Sequence, residues 1–171
     1  MFKKLLFTAA IALAFSLTAD AQRIAVVDIT DVLQSLTDYK TAERDLDKLA
    51  SEWRQDIAQE YDKIKSLYNK YQAEQVLLSD EVKTQREEEI MSKEEKVREL
   101  QKRKFGPEGE LFLRRQEMIS PIQDKVFAAI QDLADDRGYD LILDKNSSTG
   151  ILFASEEYDK TATLKQKLGI R

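Results

Sequence analysis

The 171-residue chain contains no cysteine and no histidine. Without cysteine there is no disulfide and no thiolate nucleophile. Without histidine there is no imidazole to bind zinc or move a proton near neutral pH. Serine-histidine and cysteine-histidine mechanisms are therefore excluded, and no convergent set of carboxylates, lysines or tyrosines replaces them. Glycine and proline are scarce. The glycines are Gly106, Gly109, Gly138, Gly150 and Gly169, the prolines are Pro107 and Pro121, and neither type occurs before Phe105. Phosphate-cradling loops need glycine where backbone amides approach the anion, and no GxxxxGK[ST] or GxGxxG pattern is present. Neither ATP nor a dinucleotide has a place to bind, and no cofactor or metal is expected. The same scarcity of turn residues disfavours a β-rich fold.

The amino terminus is built as an address. Lys3 and Lys4 precede an uncharged, mostly apolar stretch from Leu5 to Leu17, and Ala19-Asp20-Ala21 completes an A-x-A pattern. That layout predicts a secretory signal peptide over residues 1–21, cut after Ala21. Thirteen helical residues reach only about 20 Å, short of a bilayer core of about 30 Å, which argues against the alternative of a retained anchor. The whole chain carries 27 − 32 = −5. Loss of Lys3, Lys4 and Asp20 leaves 25 − 31 = −6. An exported chain without disulfides fits a bacterial periplasm.

Arg23 to Asp28 is a short run rich in β-branched residues and reads as a strand buried on both faces. Thr30 is placed to cap a short helix carrying Val32, Leu33 and Leu36. From about Tyr39 the pattern changes. Leu46, Leu49, Trp53, Ile57, Tyr61, Ile64, Tyr68 and Tyr71 recur every three or four residues, one face of a helix. Leu46, Ile57 and Tyr68 lie eleven apart, a spacing that predicts a nearly straight helix, roughly 58 Å long from Lys40 to Leu78.

Ser79-Asp80-Glu81 has the signature of a new helix start, so a reversal is expected near 77–80. Between Asp80 and Lys104, 16 of 25 residues are charged, and only Val82, Ile90, Met91, Val97 and Leu100 are large and apolar. One narrow stripe suffices for one neighbour, so the return helix should lie on the outgoing one as a two-helix hairpin. Phe105 to Gly109 interrupts it as a loop or a kink. Ser120-Pro121-Ile122-Gln123 combines a capping box with a first-turn proline, which predicts a helix start or sharp kink. Ile122, Val126, Ala129, Ile130 and Leu133 form the next stripe, ended by Gly138. Asp140 to Asp144 and Ile151 to Ala154 read as two more strands joined by a hairpin over Lys145 to Gly150. A last helix from about Lys160 to Leu168 ends at Gly169.

The fold class is therefore α+β, mostly α. A first strand and short helix span 22–38, a helical arm spans 39–119 with its tip near 77–80, and the remaining helices and strands span 120–171. Three short apolar strands do not make a stable sheet by themselves. Copies of the same chain would close their edges and bury their second face through Ile24, Val26, Leu141, Leu143, Ile151 and Phe153. An obligate homo-oligomer is expected, with the hairpins projecting from a small shared β body.

These segments resemble the Skp/OmpH family of periplasmic chaperones. The likeness is carried by Arg23-Ile24-Ala25-Val26-Val27-Asp28, by Ser120-Pro121-Ile122 with Val126 and Ala129-Ile130, by Gly138 to Asp144, and by Leu168-Gly169-Ile170. It runs through the mature chain in order and spacing. It implies a trimer with a β-barrel body and three helical arms around a cavity, and ATP-independent holding of unfolded outer-membrane proteins. Familiar members are basic, whereas this chain has a net negative charge, so anionic-lipid binding is not carried over and nucleic acid is not an expected partner.

On that expectation the client contacts are apolar or aromatic residues of the arm: Tyr61, Tyr68, Tyr71, Val76, Leu77, Leu78, Ile90 and Met91. For each the alternative is simple packing in the hairpin seam. Other signals are bland. Asp144 to Gly150 begins like a calcium loop, but its glycine and Glu156 fall one place late. Glu87-Glu88-Glu89 and Asp135-Asp136 occupy consecutive helix positions and point apart. The basic run Arg98, Lys102, Arg103, Lys104, Arg114 and Arg115 is interleaved with Glu99, Glu108 and Glu110. Trp53 belongs to the apolar stripe. The competing function is a coiled-coil spacer or scaffold of the envelope that binds one folded partner.

Overall fold

The computed structural model describes residues 22–146 and 150–170. The expected leader, 1–21, and residues 147–149 of the expected hairpin connection lie outside the described residues, as does Arg171. The elements in chain order are β1 (Ile24–Val27), α1 (Ile29–Ser35), α2 (Thr37–Glu74), a 3-10 turn (Gln75–Leu77), α3 (Asp80–Phe105), α4 (Glu110–Arg137), β2 (Leu141–Asp144) and α5 (Thr161–Lys167). Contacts divide the chain into two compact units. One comprises the described parts of Met1–Val32 and Ala128–Arg171, the other Leu33–Phe127.

The first unit is built on a two-stranded parallel sheet. Ile24 lies opposite Leu141, and the register runs on to Val27 opposite Asp144. On its other edge β1 makes an isolated parallel bridge between Val26 and Asp159. There the Val26 amide donates to the Tyr158 carbonyl at 2.8 Å, and the Lys160 amide donates to the Val26 carbonyl at 2.8 Å. Val27, Val32 and Leu164 are buried at the centre of this unit. The expected cap at Thr30 is two residues too late. Asp28 takes that role, its side chain accepting from the Asp31 amide at 2.8 Å, and Thr30 falls inside α1.

The third strand expected over Ile151 to Ala154 is not formed, and with it goes the hairpin to β2. β1 is paired on one side by β2 and bridged on the other at Asp159, so it has no edge left for the segment, and among the described residues the outer edge of β2 stays unpaired. Leu152 and Phe153 stand 99% and 85% exposed.

Gly138 and Gly169 end α4 and α5 with φ of 63° and 75°. In each case the amide of the following residue reaches back to the carbonyl five positions before it: Tyr139 to Ala134 at 3.0 Å and Ile170 to Lys165 at 2.9 Å. Only glycine takes that left-handed position without strain, so both helix ends are written in the sequence.

The second unit is helical. α2, at 38 residues, is about 57 Å long at 1.5 Å per residue. Two successive helices cover it. Ala42 and Leu46 near its start bury against Ile119 of α4, with Tyr39, Leu111, Met118 and Ile122 around them. Ile57, Ile64 and Tyr71 bury against Ile90 and Val97 of α3, flanked by Leu67, Leu78, Leu100 and Phe105. The buried positions 57, 64 and 71 are spaced by seven, as are 90 and 97. This is the coiled-coil repeat, not the eleven-residue one expected from Leu46, Ile57 and Tyr68. Tyr68 is half exposed because α3 is too narrow an apolar stripe to cover both flanks of α2.

The reversal falls where expected. Ser79 accepts from the Val82 amide at 3.4 Å and opens α3. Phe105 to Gly109 resolves into a break between two helices. A Cβ on Gly106 would collide with the Lys102 carbonyl oxygen, and one on Gly109 would sit 2.9 Å from the Arg103 carbonyl oxygen. Both glycines permit a closer approach than any side chain allows. Of the helix start or sharp kink expected at Ser120-Pro121, the start is absent, since α4 runs through Pro121. Ile119 and Val126 stay buried on either side of this exposed proline, so packing outweighs the one hydrogen bond it cannot donate.

Candidate functional site

The hairpin of α2 and α3 separates its apolar residues into two groups. Tyr71 and Ile90 are buried in the seam, and Leu78 packs against it. The Tyr71 hydroxyl donates to Glu87, and that hydrogen bond, with burial and the Glu87 charge, holds the phenol above its ordinary pKa. These three side chains are occupied by the seam itself. Five others named from the sequence face solvent: Tyr61, Tyr68, Val76, Leu77 and Met91. Val76 and Leu77 are each 87% exposed and occupy the 3-10 turn at the reversal. Tyr61 and Tyr68 border an open groove on the flank of the seam, with Ile64 at its floor and Asp62, Lys65 and Glu94 at its rim.

The charged residues of the hairpin mostly neutralise one another locally. Arg86 pairs with Glu89 at 3.3 Å, Arg98 with Glu95 at 2.7 Å and Lys63 with Glu60 at 2.6 Å. Of the basic run, Arg103 and Lys104 meet Glu110, and Arg114 meets Glu117 at 2.7 Å. Exposed pairs of this kind keep the surface soluble and contribute little to stability. Among the described residues, no group of three or more acids could hold a metal ion. No described helix is long and apolar enough to cross a membrane.

Trp53 packs as expected, edge-on against Phe105 at 6.2 Å, with Arg54 5.6 Å above the Phe105 ring. Sequence reasoning missed further exposed apolar residues: Phe112, Leu113 and Phe127 on α4, and Leu152. A signal existed for the first two. Leu111-Phe112-Leu113 are consecutive on a helix, so they cannot share one face, and Leu111 takes the packed position.

The sheet unit offers a second apolar surface. Ile24, Val26, Leu143, Ile151 and Phe153, all named from the sequence, line one open hollow of about 470 Å³ together with Ala154, Ser155 and Tyr158. Leu141 stands apart from it and is half exposed.

Comparison with known proteins gives a consistent result. The family model for OmpH-like outer membrane proteins matches residues 23–168. The chain is similar to the chaperone protein Skp of Photorhabdus luminescens, 27% identical over 155 residues, covering 85% of this chain and 88% of that one. It is 29% identical over 148 residues to the chaperone protein Skp of Photorhabdus laumondii subsp. laumondii, with the same coverage. The crystal structure of an OmpH-like protein from Caulobacter crescentus CB15 shares the fold. Its TM-score is 0.69 at 14% identity, covering 86% of this chain and 83% of that one. Matched by the family model from the first strand through the last helix, the chain belongs to the OmpH-like family.

Proposed function

We propose that the protein is an ATP-independent holdase of the bacterial periplasm that keeps unfolded outer-membrane proteins from aggregating. An unfolded β-barrel protein exposes apolar strands that associate with one another. A holdase must offer many weak apolar contacts while remaining soluble. The observation that carries this reading is the apolar surface left over on a highly charged hairpin: Val76 and Leu77 at the turn, with Met91, Tyr61 and Tyr68 along the flanks. Tyrosine and methionine adapt to varied partners without a fixed geometry. Several such contacts on separate arms hold one client through effective concentration, with no nucleotide cycle. The family membership and the similarity to proteins named chaperones support the same assignment.

The chain acts as a homo-oligomer, a trimer by the family resemblance. The apolar hollow around Ile151 and Phe153 and the unpaired segment 151–154 support this, because a second copy would supply the missing ladder and cover both. The client then occupies the cavity between arms of different subunits. Light scattering by an unfolded outer-membrane protein diluted from denaturant tests the reading. The mature protein should suppress aggregation near one oligomer per client, equally with and without ATP. Aggregation that proceeds unchanged would favour a spacer bound to one folded partner.

A further inference from the structure

We propose that the mature amino terminus is a modification site, at which Gln22 closes on itself to a pyroglutamyl lactam. The inference rests on the reading that the leader is cut after Ala21, which makes Gln22 the first residue. Gln22 is exposed and lies outside the sheet, whose ladder begins with Ile24 opposite Leu141. From Arg23 onward the backbone is held. The Arg23 amide donates to Asp140 Oδ2 at 2.7 Å, and its carbonyl accepts from the Asp140 amide at 2.8 Å. Its guanidinium lies 5.8 Å from the centre of the Tyr139 ring. Gln22 precedes this anchor, so its side chain can fold back on its own amine without disturbing it.

The chemistry needs no second reactant. The uncharged α-amine attacks Cδ of its own carboxamide and a five-membered ring forms. The Cδ–Nε2 bond then breaks, and ammonia leaves with a proton from the amine nitrogen. The Arg23 amide is untouched, so its bond to Asp140 survives. The product loses one positive charge and no longer offers aminopeptidases a free amine. That protection falls where the fold needs it. β1 is four residues long, begins two residues inward, and contributes the buried Ala25, Val26 and Val27. Stepwise trimming would remove the Arg23–Asp140 anchor first and then the ladder.

The full precursor, exported by a bacterial host and purified, tests this by intact mass and stepwise amino-terminal sequencing. The expected mass is that of the chain from Gln22 less one ammonia, about 17 Da, with sequencing blocked until a pyroglutamyl peptidase is added. Gln22→Ala should be cut at the same place, retain a free amine and be shortened by an aminopeptidase that leaves the wild type intact. A wild-type chain that begins at Gln22 with a persistent free amine overturns the lactam and spares the leader reading. A chain that begins elsewhere overturns both.

Discussion

The Lys104 ammonium lies 4.2 Å from the centre of the Trp53 ring and also pairs with Glu110. One side chain thereby links α2, the end of α3 and the start of α4 around the two-glycine break. Trp53 is the only tryptophan, so its emission reports this junction without labelling. Lys104→Met should shift that emission and lower stability by about 1 kcal/mol, the sum of a partly exposed cation–π contact and ion pair. Gly106→Ala should cost more, about 1–3 kcal/mol, because the new methyl would meet a backbone carbonyl that cannot rotate away. Thermal unfolding followed by emission and by circular dichroism checks both. A Gly106→Ala protein that melts like the wild type would mean the junction relaxes freely.

The seam predicts a sharp contrast between neighbouring turns of α2. Ile64 is buried against α3, and Tyr68, four residues on, is half exposed. Ile64→Ala should destabilise by about 2–4 kcal/mol through lost burial and an unfilled cavity. Tyr68→Ala should stay within about 0.5 kcal/mol. Urea denaturation measures each. Equal costs would show that the seven-residue register is wrong.

Val76 and Leu77 should matter for clients and not for folding. Replacing both by serine is expected to weaken suppression of aggregation several-fold with unchanged helical content. Leu78→Ser makes the control, because Leu78 packs against the seam and its loss should loosen the end of the hairpin. Client aggregation assayed beside circular dichroism separates the two effects. Undiminished holding by the double variant would remove the turn from the client surface.

Much of this architecture was legible because local rules and packing agree. Ser79 caps α3, Gly138 and Gly169 end their helices at positive φ, and the narrow stripe of Ile90 and Val97 sets a two-helix seam. Where reading failed, tertiary packing outweighed a local signal. Ser120-Pro121 has a helix-start signature, yet buried Ile119 and Val126 keep α4 running through it. Ile151 to Ala154 has a strand's composition, but composition does not choose a partner: the second edge of β1 is taken at Asp159, and 151–154 pairs with neither strand. The choice between seven and eleven in α2 depended on how much of its face α3 could cover, a property of the other helix. Exposure of Tyr61 and Tyr68 was illegible for the same reason.

The sheet unit predicts a concentration-dependent assembly. Phe153 is strongly exposed beside the hollow formed with Ile24, Val26, Leu143 and Ile151. Phe153→Asp would place a charge against an apolar surface that a second copy is expected to cover, at a cost of several kcal/mol per buried charge. Sedimentation or light scattering on the mature chain should give an oligomer for the wild type and a shift towards smaller species for the variant. A wild-type protomer that stays single in dilute buffer, with the same stability as the variant, would defeat the oligomer proposal.

Acid should loosen the same unit at Asp159. Its Oδ1 accepts from the Thr161 hydroxyl at 2.6 Å and the Thr161 amide at 3.0 Å, and its Oδ2 lies 2.9 Å from the Lys145 ammonium. Partial burial pushes this carboxyl up, but the bonds from Thr161 and Lys145 outweigh it and bring the pKa to about 2. An unfolded aspartate titrates near 3.9, so the folded chain binds this proton more weakly than the unfolded one. The stabilising contribution is therefore complete above about pH 5, is lost progressively as pH drops through the unfolded and then the native value, and is gone only near about pH 1. Lys145 has the opposite sign: the hydrogen bond to Asp159 and its charge raise the lysine pKa, so its share is lost only in strong alkali. Asp159→Asn should thus lower stability near pH 7 by on the order of 1 kcal/mol, a value discounted for solvent screening, and by much less near pH 2. Urea midpoints of both proteins at the two pH values give the comparison. A difference that persists undiminished in acid would assign the effect of Asp159 to its place in the Val26 bridge and not to its charge.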